Sequence, residues 1–167
     1  GWGAKMLFQR VIETTVPSAE AALARARRLA NAHPDEALRR EWSVHAKRIE
    51  AIICLLHSAD NMVAFQAHLD RVRSLGLQAE YNPPLGVQSD WARTDMMEIA
   101  RREIDLTVRL IELIESTDEP IIDTAYTPEE EFVMRLSPNL VQQLRTKIRT
   151  MNSRWLDYDR IFSVPNP

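Results

Sequence analysis

The chain has 167 residues, 45% of them apolar and 27% charged, with a formal charge of −3. A balance like this suits one globular core and excludes a highly charged disordered chain. The lone Cys54 excludes a disulfide framework and a zinc site built on several thiolates, four glycines leave little for a Gly-rich phosphate cradle, and the net negative charge argues against a nucleic-acid binder.

The basic pairs Arg27-Arg28, Arg39-Arg40, Lys47-Arg48 and Arg101-Arg102 lie among acids and read as solvated faces of mixed charge. The longest apolar run, Ala51 to Leu56, ends at His57, far short of the ~20 residues that span a bilayer. No membrane partner is expected. The opening Gly1-Trp-Gly3 and the closing Pro165-Asn-Pro167 read as the ends of a segment cut or processed from a longer protein. Localisation stays open between a cytoplasmic chain and one exported with loss of its signal.

The dominant period is helical, and the expected architecture is an all-α bundle of about six helices, with long antiparallel members, forming one domain over 1–167. The first helix is placed at about 4–14, with Ala4, Leu7, Phe8 and Val11 as its inward stripe. Pro17 suits the first turn of a second helix, about 17–31, that buries Leu23, Ala26, Leu29 and Ala30. Asn31-Ala-His-Pro34 stops it.

Residues 35–75 carry Leu38, Trp42, His45, Ile49, Ile52, Leu56, Ala59 and Val63 in alternate steps of four and three, a heptad stripe. The stripe then shifts to Met62, Phe65, Leu69 and Val72. A single helix here would span ~57 Å. A compact chain of this size is only ~40 Å across. The capping side chains of Ser58-Ala-Asp-Asn61 fall at the shift, so two helices are expected, 35–57 and 60–75, the second closed by Gly76.

A loop is expected over 77–88, around Tyr81-Asn-Pro-Pro-Leu-Gly86. Ser89 or Asp90 then caps a helix to about Ser116 that buries Met96, Ile99, Leu106, Leu110 and Leu113. Its outer face offers Glu98–Arg102, Arg101–Asp105 and Asp105–Arg109 as pairs one turn apart. After a second loop, 117–126, Thr127-Pro-Glu-Glu130 forms a capping box that predicts a short helix over 128–136. Ser137-Pro138 restarts the pattern for a last helix, about 138–162, with Leu140, Leu144, Ile148, Met151, Trp155, Tyr158 and Phe162 inward.

Catalytic constellations are scarce. Glu50, Cys54 and His57 share one helical strip and form the one local trio with metal-ligand chemistry, to be completed by Glu98 or Glu103 from another helix. Neither Glu-x-x-His nor His-Glu-x-x-His occurs. Cys54 lies in an apolar run, where cysteine acts as a small buried hydrophobe, although His57 one turn away would lower its pKa. Carboxylates such as Glu129 and Glu130 are explained by capping and the helix dipole. Tyr81 and Trp91, beside two prolines, make the best ligand-binding candidates, because aromatic, semi-rigid surfaces stack on sugars or anchor proteins. The competing reading folds them back over the bundle end.

A short helix, the alanine- and arginine-rich Ser18-Ala-Glu-Ala-Ala-Leu-Ala-Arg-Ala-Arg-Arg-Leu-Ala30, the break His-Pro-Asp-Glu36 and then Arg48-Ile-Glu50 ahead of an apolar run give residues 4–75 a recognisable pattern. It resembles the helical domain that accompanies the catalytic barrel in some large bacterial glycoside hydrolases. The resemblance implies a non-catalytic accessory segment, without a cofactor, supporting a carbohydrate-active enzyme whose catalytic carboxylates belong to the barrel. The function expected is therefore a helical domain packing against another domain or subunit through an apolar helix face. The alternatives are a stand-alone bundle holding a metal or small ligand through Glu50, Cys54 and His57, and carbohydrate binding through Tyr81 and Trp91.

Overall fold

The structure is a computed structural model and describes residues 2–79, 86–124, 127 and 136–157. Among these residues there are four helices rather than about six: α1 (Trp2–Ala32), α2 (Glu36–Ala79), α3 (Gly86–Glu115) and α4 (Leu140–Ser153). The all-α class holds. The only extended pairing among the described residues is an isolated parallel bridge between Thr124 and Leu136. Successive helices run antiparallel. Arg27 pairs with Glu50 and Lys5 lies by His68, Glu50 pairs with Arg109 and Asn61 with Glu103, and Glu115 pairs with Arg145 while Arg101 stacks on Trp155.

The expected break at Pro17 does not occur, because α1 continues straight through it. An interior proline forfeits one backbone hydrogen bond and costs ~3 kcal/mol. Packing on both sides outweighs that cost. Ile12, Val16, Ala19, Leu23 and Ala26 form one face against Trp42, Ala46, Ile49, Ile53 and Leu56 of α2. This face displaces the expected stripe of the first turns, since Leu7 is 72% exposed and Val11 is exposed too.

The α1–α2 turn follows the expectation. The Asp35 carboxylate accepts the amides of Ala37 and Leu38, capping α2. Arg39 reaches back to the carbonyls of His33 and Pro34.

Residues 35–75 form part of one helix, not two. α2 has 44 residues, so it extends ~66 Å and exceeds the width of a compact chain of this size. It survives at that length because two of its faces are covered. Trp42, Ala46, Ile49 and Ile53 meet α1, while Ala51 and Cys54 pack with Leu110 and Leu113 of α3, and Phe65 and Leu69 pack on Met96. Ile52 and Met62, expected inward, are exposed. Gly76 lies inside α2 instead of ending it, and no described glycine has a positive φ.

Of the loop expected over 77–88, residues 77–79 belong to α2 and 86–88 to α3, while 80–85 lie outside the described residues; Ser89 and Asp90 sit inside α3 rather than capping it. The inward set of α3 matches the expectation, with Met96 at 0% and Ile99, Leu110 and Leu113 all buried. The short helix expected at 128–136 and its capping box fall largely outside the described residues. α4 starts near the expected place, organised by Ser137, whose hydroxyl accepts from the Asn139 amide and the Gln143 side chain. Leu144 touches the α2–α3 core, yet no residue of α4 is fully buried.

Candidate functional site

Two carboxylates sit where helices meet. Glu50 lies on α2 between the α1-facing and α3-facing sides. Its two oxygens accept from Arg27 of α1 at 2.7 Å and from Arg109 of α3 at 2.7 Å, and Arg109 also reaches Glu112. Glu50 thus pins three helices. Its hydrogen bonds, with those of Glu112, raise the pKa of Arg109.

That arrangement does not bring the candidate ligands Glu50, Cys54 and His57 together as one site. The Glu50 carboxylate is taken by two guanidinium groups. Cys54 points into the α2–α3 core, where burial first and Glu50 second push its thiol pKa up. A thiol so placed is an apolar packing group, not a nucleophile. His57 lines an open surface groove with Asp60, Arg102, Asp105 and Arg109. Among the described residues, no three His, Cys, Asp or Glu side chains converge to hold a metal ion. Tyr81 lies outside the described residues. Trp91 lies in the second turn of α3, and its side chain is also outside them.

The second carboxylate, Glu103 of α3, is the one the sequence did not single out beyond a spare ligand. Its side chain is 7% exposed. Ser58 donates to one oxygen at 2.5 Å, Asn61 to the other at 2.9 Å, and Lys147 of α4 completes the set. One turn on, the buried Thr107 hydroxyl donates to the Glu103 carbonyl at 2.6 Å. Ser58 and Asn61 were expected as helix caps. Their side chains instead cross to α3 and satisfy a buried charge, which is why α2 does not end there. The sequence signal was the polar pair Ser58 and Asn61, one turn apart, following the apolar run Ala51 to Leu56.

Beside Glu103 an apolar cavity of about 250 Å³ opens between α2, α3 and α4. Met62 and Phe65 of α2, Ile99 and Ala100 of α3, and Lys147 and Met151 of α4 line it. Other polar contacts fix the far end of α3. Lys47 donates to the Ser116 carbonyl and Arg48 to that of Pro120, so this basic pair holds carbonyls just beyond the helix end rather than lying on a purely solvated face. Arg109 turns to Glu50 and Glu112, and Arg101 lies over the Trp155 ring at 5.5 Å, so neither makes the expected helical pair with Asp105.

No helix of the described residues is long and apolar enough to cross a membrane. No protein-family model, curated protein or solved structure matches the chain.

Proposed function

We propose that the chain is a non-catalytic helical interaction domain that packs against another domain or subunit. The observation that carries this reading is the outward side of α2. Ile52, Leu55 and Met62 stand 54%, 36% and 61% exposed, at helical spacings of three and seven. They form an apolar stripe on the longest helix, on a side that neither α1 nor α3 covers. Scattered apolar side chains are ordinary on a surface, but an aligned stripe of large ones marks a contact face. Leu7 and Val11 extend the apolar surface on α1. The pattern over residues 4–75 adds the catalytic barrel of a carbohydrate-active enzyme as the proposed neighbour.

The test combines light scattering with binding of the dye 1-anilinonaphthalene-8-sulfonate to the native chain. Dye fluorescence is expected, and Ile52→Glu with Met62→Glu should abolish most of it while leaving helicity unchanged. A monomer that binds no dye would overturn the reading.

A further inference from the structure

α4 is unlike the other three helices. It contributes no buried residue, and its backbone packs only against α3. Its inward side chains Leu144, Lys147, Ile148 and Met151 are all half-buried. It covers the α2–α3 seam imperfectly, leaving the cavity beside Phe65 and Ile99 unfilled. Beneath it, Glu103 accepts from Ser58 and Asn61 of α2 as well as from Lys147, and its 7% exposure includes the cover that α4 gives it. An enclosed carboxylate is costly unless a cation meets it, and Lys147 is that cation. The seam therefore selects for positive charge at one point, flanked by apolar surface that includes the adaptable thioether of Met62.

We infer that the α2–α3 seam is a docking groove for a basic amphipathic helix of a partner protein, and that α4 occupies it as a displaceable stand-in. This rests on the reading of the chain as an interaction domain. The occupant is defined by α4 itself. It carries a lysine or arginine to meet Glu103, an apolar residue three positions earlier, as Leu144 stands to Lys147, and another four positions later, as Met151 does. Helices read grooves by this one-face spacing. Residues 116–139 separate α3 from α4 along the chain, with Ile121 among them seated in the α2–α3 core. The groove borders the outward stripe of α2, since Met62 belongs to both.

The probe is a fluorescent synthetic peptide of residues 137–157 added to the full chain. In the unaltered chain the tethered α4 competes at an effective concentration of order millimolar, so binding is weak. The Lys147→Glu chain places a second acid against Glu103 and frees the groove, and it should bind the peptide at least ~10-fold more tightly. A peptide carrying the same Lys147→Glu change should lose that binding, as should a Glu103→Gln version of the freed chain. Hydrogen exchange on the unaltered chain gives a readout independent of any variant. The α4 amides should exchange at least ~100-fold faster than those of α2 and α3 facing the core, with the chain still folded.

Exchange of α4 in step with α2 and α3 would overturn the proposal, as would equal binding of the unaltered peptide and its Lys147→Glu version. Dimerisation of the freed chain in place of peptide binding would assign the groove to a second copy and overturn it too. The dye assay on an Ile52→Glu chain reads the outward stripe at a residue outside the groove and without the peptide, so the two readings fail separately.

Discussion

Glu50 and Glu103 are the same residue type at similar helix seams, and their neighbours give them different tasks. Glu50 faces two arginines that are about half exposed, so solvent screens the pairs and each contributes little to stability. Glu103 is nearly enclosed, and removal of a partner leaves its charge uncompensated. His68 is another polar group drawn inward, at 8% exposure on α2, near Lys5 of α1 and Asp95 of α3. Burial first, then the positive charges of Lys5 and Arg71, lower its pKa below the ordinary 6.5, and Asp95 opposes them. The unfolded chain takes up this proton near 6.5, the folded chain only at lower pH. Between those values the unfolded state binds more protons, so stability rises with pH. The contribution is whole above pH ~6.5 and is lost as pH falls from there toward the folded value. Urea midpoints should drop between pH 7.5 and 5.5, and His68→Gln should remove that part of the drop. Equal drops in both chains would refute it.

At the scale of elements, the turn at His33–Asp35 and the inward face of α3 were legible because their signals are local: a proline that stops the preceding helix, and large aliphatic residues at helical spacing. The two continuous helices were not. Pro17 and Ser58–Asn61 are breakers by local rule, and tertiary contacts override both. The α3-facing side of α2 was also hidden. Its contact with Leu110 and Leu113 is built on Ala51 and Cys54, both buried, and small residues do not register as an apolar stripe beside Leu and Ile. Glu103 was hidden for a different reason: its donors come from two other helices, and no spacing within α3 reveals them. Pro17→Ala isolates the local cost. It restores one backbone hydrogen bond in an otherwise unchanged helix, and should raise stability by about 1–3 kcal/mol in urea unfolding. A destabilised variant would show that α1 needs the proline's local geometry.

Across the whole molecule α2 is the shared wall of two packing surfaces, with α1 on one side and α3 on the other. Helix approach on the α3 side depends on the small residues. Ala51 is 1% exposed against Leu110 and Leu113. Ala51→Leu should overpack that side and cost about 1–3 kcal/mol by urea unfolding, whereas Ile52→Leu, its exposed neighbour, should be near neutral. Equal effects at the two positions would mean that the α2–α3 surface is not packed as described.

The short turn between α1 and α2 also sets an order of events in time. Helices joined by so few residues find each other through local contacts, which form fast. The α1–α2 hairpin can assemble while α3 is still being synthesised, and α3 then pairs with the next exposed side of α2. The lysine that neutralises Glu103 comes last, 44 residues further along the chain. During synthesis, then, the nascent protein carries Glu103 without its cation for as long as those residues take to emerge. That interval, a few seconds at ordinary ribosome speeds of ~5–20 residues per second, is when another basic helix would meet least competition for the same place.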